Sequence, residues 1–271
     1  METLEAIGTR RSIRYFFPWK YVEDEKILTI LEAARRASHW GNVFVWRCIV
    51  VDKKKASPEI IKVAEDGGYN QVQIQQAPLL LYFVVDRAKW GGWKDAVVEV
   101  YELKGINPSH GWSHQMIEEI AAKGPDFNPI VRGPMNEFLI GTQEASLAVQ
   151  NAYLAAVDQG LGVCLFTSSH EDIGKTDRKL KNALNLPDTA DVSLGMAIGY
   201  PAEDREAGGQ RPRPLFAEMF YEETWANGMK MDPKVEEELK NKRLIQASIK
   251  DNQQQRTEEV KHLSRMFGLP E

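Results

Sequence analysis

The spacing of apolar residues near the N-terminus predicts two helices. Thr3 and Asp24 have the short polar side chains that cap helices, and an amphipathic pattern follows Asp24. The apolar positions of this second helix share one face and are Ile27, Leu28, Leu31 and Ala34. We therefore expect a short helix from Thr3 and a longer one from Asp24 that buries this face.

Two apolar runs further along the chain have the composition of strands. Residues 43–51 and 79–85 are rich in β-branched, aromatic and other apolar residues, which favours extended backbone. Between them, Ser57 and Pro58 form the pair typical of a helix start, an N-cap followed by proline in the first turn. The pattern predicts a strand, a helix and a second strand over this region.

Residues 87–136 do not follow this regularity. The segment holds glycine and proline throughout, and its large aromatic residues have no clear period; they are Trp90, Trp93, Tyr101, Trp112 and Phe127. A connection of this length without structure of its own is uncommon and is often functional. We interpret it as an insertion with one or two helices that could serve as a lid.

The second half of the chain begins with a helix that is small or apolar on nearly every face. It covers residues 142–159 and includes Ala145, Leu147, Ala148, Val149, Ala152, Leu154, Ala155 and Ala156. Such a helix must be buried on most sides, at the centre of the fold or against another subunit. Strands are predicted at 163–166 and 192–198, and Ser169 is expected to cap a helix between them.

The C-terminal region is polar and charged. A loop at 202–214 precedes a charged helix from Asp232, whose sparse apolar stripe is Val235, Leu239, Ile245 and Ile249. Residues 250–259 have almost nothing to bury, so we expect a break there before Val260, Leu263, Met266 and Phe267. Such an arm needs a surface to lie on, and a partner subunit is a natural one. We divide the chain into a main domain, 1–225, and a C-terminal helical extension, 226–271.

Charge and composition exclude several classes of protein. With 34 Lys and Arg against 39 Asp and Glu, the net charge is -5, whereas nucleic-acid binding needs a basic surface. The apolar run 77–85 is too short to cross a bilayer, and the N-terminal residues do not resemble a signal peptide. Cys48 and Cys164 stand alone in apolar runs, which favours reduced, buried thiols. We expect a cytoplasmic protein that binds neither nucleic acid nor membrane.

Two arginine clusters are the candidate binding residues. They are Arg10-Arg11-Ser12-Ile13-Arg14 and Arg211-Pro212-Arg213. Guanidinium groups and hydroxyls are donors that suit a phosphate dianion, and two separate clusters in a net acidic chain favour a specific anion site. Each cluster taken alone is better explained as a solvated basic turn.

Other polar groups predict no chemistry of their own. Residues 168–172 contain serine, histidine and acid, but neighbours in sequence rarely form a catalytic triad, and a helix cap followed by acids explains them. His110 and His114 have helical spacing without the acid of a zinc motif. Residues 195–199 lack the third glycine of a dinucleotide-binding fingerprint. We therefore predict no metal site and no catalytic side chain.

Taken in order, five motifs resemble those of the nitroreductase family over most of residues 2–225. They are Arg10-Arg11-Ser12-Ile13-Arg14-Tyr15-Phe16; Leu31-Glu32-Ala33-Ala34 with Ala37-Ser38, Asn42 and Trp46; Asn70-Gln71 before Ala77-Pro78; Gln150-Asn151-Ala152-Tyr153-Leu154-Ala155-Ala156 with Gly160-Leu161-Gly162; and Gly199-Tyr200-Pro201 with Arg211 and Arg213. The resemblance implies an α+β fold, a mainly antiparallel sheet flanked by helices. It also implies an intertwined homodimer with FMN in each interface.

The resemblance assigns roles to residues of this chain. Arg11 belongs to the same basic segment as Arg10 and Ser12. Of these, Arg10 and Ser12 would bind the FMN phosphate together with Arg211 and Arg213. Arg14 and Asn70 would face the pyrimidine edge of the flavin, where positive charge stabilises the reduced anion. Ser38, His39 and Asn42 would come from the other subunit, and Thr167 and Ser168 would place a backbone N–H near flavin N5. These roles are implied by the family pattern alone.

This sequence departs from the family pattern in three places. Phe44 and Val45 stand where glutamine and proline are usual, which would remove one polar flavin contact. Ala37 replaces the proline before Ser38. The insertion 87–136 and the residues after Trp225 match no family motif, and the insertion is expected to shape the substrate pocket.

The implied activity follows from the cofactor, because the flavin carries the chemistry and the protein supplies orientation and electrostatics. NADH or NADPH would reduce FMN by hydride transfer, and a small electron-poor acceptor such as a nitroaromatic or a quinone would then enter the same cleft. One alternative is a specialised flavin enzyme of the same fold, a reductive dehalogenase, an ene-reductase or a flavin-degrading enzyme. Another is a non-catalytic flavin-binding protein.

Overall fold

An antiparallel sheet forms the centre of the structure, a computed structural model that describes residues 1–66, 71–123, 133–167, 170–172, 175–204 and 209–270. Its strands are β1 (Trp46–Asp52), β2 (Leu79–Asp86), β3 (Gly162–Phe166) and β6 (Ala190–Gly199), and β4 (His170–Asp172) pairs separately with β5 (Lys175–Thr176). The strand order is β1-β2-β6-β3. Each pairing in the sheet is antiparallel, and with the helices around it this confirms the predicted α+β class.

The helices surround this sheet. They are α1 (Thr3–Thr9), α2 (Asp24–Arg35), α3 (Pro58–Glu65), α4 (Gln71–Gln76), α5 (Trp93–Glu102), α6 (His114–Ala121), α7 (Pro134–Asp158), α8 (Arg178–Ala183), α9 (Phe216–Met219), α10 (Pro233–Asn241) and α11 (Gln253–Phe267), with 3-10 turns at Arg87–Gly92 and Pro108–His110. In the part of the chain so described, none of these helices is both long and apolar enough to cross a membrane.

Helix α7 is the buried central helix that the composition predicts. It packs against α2 and against the sheet, and Ala145, Ala148 and Ala152 have no exposed surface. It begins at Pro134 rather than at residue 142. Within the added turns Phe138 and Gly141 are buried, whereas Met135 and Leu139 are half exposed. A Cβ on Gly141 would lie 2.4 Å from Cγ1 of Val85, so glycine is needed where the helix crosses β2.

The buried face of α2 differs from the prediction by one residue. Ile27, Ile30 and Ala34 are buried, whereas Leu28 is 66% exposed. Residues 27, 30 and 34 form one row along a helix, and Leu28 lies about 100° around the axis from Ile27. The predicted caps are also wrong, since Glu2 and Glu23 occupy the N-cap positions and Thr3 and Asp24 are the first helical residues.

The segment around Ser57 agrees with the prediction, and the one after β3 does not. Ser57 caps α3 by accepting a hydrogen bond from the backbone N–H of Ile60 at 3.4 Å, with Pro58 in the first turn. A helix directly after Ser169 is wrong, because His170–Asp172 is a strand and α8 begins at Arg178. Ser169 itself lies outside the described residues.

The insertion after β2 contains two helices, as predicted, with a small hydrophobic core of their own. Trp93 and Val97 on α5 pack against Ile117 on α6, and all three side chains are buried. Trp90 is anchored to the main body, since its indole N–H donates to the Glu137 carbonyl at 3.1 Å. Phe127 lies outside the described residues.

The C-terminal extension packs on its own chain, and the expected contact of this arm with a partner subunit stays a prediction. The break between its helices falls at 242–252 rather than at 250–259, and this stretch lies close to α1. A Cβ on Gly8 would lie 2.0 Å from the carbonyl oxygen of Arg243. Further along, the Tyr15 ring stacks on Phe267 of α11 at a centroid distance of 6.1 Å.

Candidate functional site

The two arginine clusters predicted from the sequence meet in one cleft of about 370 Å³. One wall is the end of α1 and the segment after it, another is residues 209–213, and the third is the C-terminal extension. Its lining residues are Ile7, Gly8, Thr9, Arg10, Arg11, Ser12, Arg14, Gly209, Gln210, Arg211, Arg213, Gln246, Ile249 and Arg256. Residues some 200 positions apart in sequence thus form a single cationic site.

The basic segment is held in an extended conformation at the edge of the sheet. Helix α1 ends at Thr9, and Arg10 has φ -63° and ψ 138°. The backbone N–H of Ile13 donates to the Val163 carbonyl of β3 at 2.9 Å, and the Ile13 side chain is fully buried. Because side chains alternate along extended backbone, burial of Ile13 turns Ser12 and Arg14 towards the cleft.

Arg10 packs against the central helix α7. Its guanidinium carbon lies 5.3 Å from the ring centroid of Tyr153 on α7, a cation–π distance. Its Nε is buried and has no hydrogen-bond acceptor among the described residues. A buried donor without an acceptor costs free energy, so an anionic ligand that accepted this hydrogen bond would stabilise the site.

The charges in the cleft favour an anion. In the described part of the chain, no carboxylate forms an ion pair with Arg10, Arg14, Arg211 or Arg213. Arg14 instead donates to the Ser12 carbonyl at 3.1 Å, and Arg213 donates to the Arg211 carbonyl at 3.4 Å. Guanidinium groups and a hydroxyl facing one cleft suit the phosphate of FMN, since several charge-assisted donors can converge on its oxygens.

Arg11 occupies a different position from its neighbours in the segment. One Nη donates to the buried carboxylate of Glu203 at 2.9 Å. Burial lowers the pKa of the Arg11 guanidinium, and the nearby Glu203 carboxylate opposes that effect. Arg11 therefore lines the cleft as part of an internal ion pair, and we assign it to the support of the site.

The predicted flavin contacts beyond the phosphate lie elsewhere or outside the described residues. Thr167 is exposed directly after β3 and is not a lining residue of the cleft. Asn70 and Ser168 lie outside the described residues. Ser38, His39 and Asn42 follow α2 and also stand outside this cleft, so within one chain they do not join the arginine clusters.

The loop that carries Ser38, His39 and Asn42 has a defined internal structure. The backbone N–H of Asn42 donates to Nδ1 of His39 at 3.1 Å, and its side-chain amide donates to Glu99 of α5 at 3.0 Å. Burial lowers the pKa of His39, and its ring lies 4.0 Å from that of Phe44. This contact between Asn42 and Glu99 joins the loop to the insertion.

Sequence patterns do not reveal the residues that hold this site together. Gln210 donates to the carbonyls of Gly8 at 2.6 Å and Leu244 at 3.0 Å, so it links α1 to the C-terminal extension. Glu203 and Arg256 form the buried ion pair beneath the cleft. A glutamate in a polar loop and an arginine in a charged helix do not indicate a binding site in the sequence, because only folding brings them together.

The two cysteines are free thiols away from the cleft lining. Cys164 is buried and Cys48 is partly buried. Burial raises the pKa of both thiols, that of Cys48 to about 12, which disfavours the reactive thiolate. Among the described residues, no group of three or more histidine, cysteine or acidic side chains could hold a metal ion.

Comparison with known proteins identifies the family. The nitroreductase family model matches residues 7–200. An NADPH-dependent oxidoreductase of Staphylococcus epidermidis is 31% identical over 114 residues, which cover 42% of each chain. The FMN reductase (NADPH) of Bacillus subtilis is 24% identical over 223 residues, 82% of this chain and 74% of that protein.

The fold is also similar to that of a solved structure. A protein of Exiguobacterium sibiricum solved in complex with FMN has a TM-score of 0.59 at 19% identity, covering 79% of this chain and 93% of that chain. The match to the Staphylococcus epidermidis relative spans less than half of that protein's length, whereas the family model spans most of this chain. The protein is a member of the nitroreductase family.

Proposed function

We propose that this protein is an FMN-dependent NAD(P)H oxidoreductase that reduces a small electron-poor organic acceptor, such as a nitroaromatic or a quinone. The observation that carries the proposal is the cleft in which Arg10, Arg14, Arg211 and Arg213 meet without carboxylate partners among the described residues. The names of the relatives support FMN as the anion and favour NADPH as the reductant.

The FMN phosphate would be held by Arg10, Ser12, Arg211 and Arg213. Arg10 is positioned by Tyr153, and its buried Nε is ready to donate. Arg211 and Arg213 are exposed, so a bound dianion would order two side chains that are otherwise solvated. The bound flavin supplies the hydride chemistry, accepting from the nicotinamide and donating to the acceptor.

The remaining protein groups would act on the flavin ring. Arg14 and Asn70 would place donors and positive charge at the pyrimidine edge, which stabilises the anionic reduced form. Thr167 and Ser168, after β3, would direct a backbone N–H towards N5.

Completion of the site by Ser38, His39 and Asn42 requires a homodimer. These residues stand outside the arginine cleft of their own chain, so they would reach the flavin of a second copy. The loop is preformed for such a role by its hydrogen bonds to α5 and α7. The aromatic rings of His39 and Phe44 would then favour a planar acceptor.

The visible absorption spectrum of the purified protein tests the proposal. FMN is added, excess is removed, and spectra are recorded under anaerobic conditions before and after NADH or NADPH. A flavin band that bleaches with either nucleotide and returns with a nitroaromatic or a quinone is the expected result. A protein that stays colourless after FMN addition would contradict the phosphate assignment and the function together. A band that neither nucleotide bleaches would indicate a flavin-binding protein instead.

A further inference from the structure

Beneath the cleft lies a carboxylate with four donors. The Glu203 side chain has no exposed surface. Its Oε2 accepts from Arg11 at 2.9 Å and from Arg256 of α11 at 2.6 Å. Its Oε1 accepts from the backbone N–H groups of Arg14 and of Tyr15, the latter at 3.2 Å. This one side chain therefore contacts both the basic segment and the C-terminal extension.

The extension docks around this contact. Arg256 also pairs with Glu259 at 2.6 Å, and Glu259 accepts from the backbone N–H of Asp204 at 2.7 Å. Leu263 and Ser264 of α11 are 2% exposed. Helix α11 is thus fixed on the segment that carries the cleft arginines, although it lies outside the residues that the family model matches.

The arginines around the cleft fall into two groups, those that support the site and those that face the ligand. Arg11 and Arg256 have side chains only 15% and 16% exposed, and they share the Glu203 carboxylate. Burial tends to lower the pKa of Arg256, but Glu203 and Glu259 more than offset it and the pKa is raised. The hydrogen bonds to the backbone of Arg14 and Tyr15 hold the chain on the C-terminal side of Ser12.

We propose that Glu203 is a positioning residue of the phosphate site and that it acts together with Arg256, so that the C-terminal extension is part of FMN recognition. The proposal rests on the proposed function. Glu203 fixes the backbone that presents Ser12 and Arg14, and Arg256 fixes Glu203 from the extension.

Two effects oppose each other when Glu203 is neutralised. Removal of a negative charge beside the cleft would by itself strengthen anion binding. Glutamine keeps one acceptor oxygen but sets an NH2 donor against the other pair of donors, so either Arg11 and Arg256 or the backbone N–H groups of Arg14 and Tyr15 lose their acceptor, which is costly for buried partners. The positioning role requires the second effect to prevail.

The test compares Glu203→Gln, Arg256→Gln and their double variant by titration of the apoproteins with FMN and with riboflavin, which lacks the phosphate. Each single variant is expected to weaken FMN binding by about ten-fold or more while riboflavin binding stays within about two-fold. The double variant should be little worse than either single one, since both break the same link. Arg256→Lys, which keeps the charge, should recover part of the loss.

Lys261→Gln is the matched control, because Lys261 lies on the same helix and pairs only with Glu258 at the surface among the described residues. It should leave both affinities unchanged. Unchanged or tighter FMN binding by Glu203→Gln, or equal weakening of FMN and riboflavin, would overturn the positioning role. Failure of the wild-type protein to bind FMN would instead contradict the proposed function, which keeps the two results distinct.

Discussion

The backbone N–H of Trp40 donates to Oε1 of Glu144 at 2.6 Å, across the space between the loop after α2 and the central helix α7. The other carboxylate oxygen accepts from the N–H of Val45 at 3.4 Å, and Glu144 is 1% exposed. Between these two bonds the backbone has positive φ at Gly41, Asn42 and Phe44. This conformation explains why β1 begins at Trp46 rather than at residue 43, since such angles end a strand.

Glu144 should make the stability of the protein depend on pH. Burial raises its pKa above the ordinary 4.5, against the opposing effect of the N–H groups of Trp40 and Val45. The folded state therefore holds this proton to higher pH than the unfolded state does. The stability that results is present at low pH and is lost as the pH rises from about 4.5 through the raised folded pKa.

The substitution Glu144→Gln removes this ionisable group. The difference in free energy of unfolding, wild type minus variant, should fall as the pH rises above about 4.5. Urea unfolding at a series of pH values measures it. A wild type that gains stability over Glu144→Gln with rising pH would contradict the prediction.

Arg10→Gln should weaken FMN binding by about 10- to 100-fold, because it removes charge-assisted hydrogen bonds to the phosphate. The glutamine keeps a polar group near Tyr153 but no charge. Fluorescence titration with FMN measures the affinity, and riboflavin binding should change little. Arg35→Gln is the control, since Arg35 is 67% exposed and pairs with Glu32 on the surface of α2. Equal losses from both variants would show that overall charge, and not the cleft, determines the affinity.

Gly8→Ala should displace the C-terminal extension. The added Cβ would lie 2.0 Å from the Arg243 carbonyl oxygen and 2.6 Å from Cα of Leu244, both backbone atoms. We expect a loss of about 1–3 kcal/mol in the free energy of unfolding, which the helix propensity of alanine offsets by only about 0.5–1 kcal/mol. Limited proteolysis should cut the extension faster.

Gly91→Ala is the matched control for this substitution, because nothing lies within 4 Å of the Cβ it would add. Its unfolding and proteolysis should match those of the wild type. FMN affinity should fall only in Gly8→Ala, since Gln246 and Arg256 of the extension line the cleft. An extension that stays protected in Gly8→Ala would contradict the close contact with α1.

The sequence predicts those helices and strands whose characteristic pattern lies within a few neighbouring residues. The capping pair Ser57-Pro58, the apolar strand β2 and the small-residue helix α7 are of this kind, because turn chemistry and burial leave marks on neighbouring positions. The predicted break in the extension, at 250–259, is wrong for the opposite reason. The residues at the break contact Gly8, far away in sequence, and the sparse apolar stripe of α10 and its continuation does not show that contact.

The sequence predicts which types of residue bind at the candidate site, but it does not predict the residues that hold them in place. Arginine and serine in short clusters indicate an anion site from the amino-acid sequence alone, and the fold brings both clusters into one cleft. Glu203 gives no such indication. It is one acid in a polar loop, and its partner Arg11 lies 192 residues away, so only the packing of α11 shows that its carboxylate is buried.

Under the proposed function, Phe44 should determine how well the protein uses aromatic acceptors. Its ring is 37% exposed and lies 4.0 Å from that of His39, in the loop that Glu144 holds. An exposed aromatic face offers stacking to a planar substrate, which is worth about 0.5–1.5 kcal/mol. Phe44→Gln should therefore raise the KM for a nitroaromatic or a quinone by about 2- to 10-fold.

The comparison with a non-aromatic acceptor separates stacking from damage to the loop. With ferricyanide as the acceptor, Phe44→Gln should retain the wild-type KM, because nothing in that ion stacks on a ring. Tyr21→Gln removes another exposed aromatic side chain, 43% exposed before α2, and serves as the control with both acceptors. If Phe44→Gln changes the two KM values equally, the loop has lost its conformation. If it changes neither, Phe44 does not contact the acceptor.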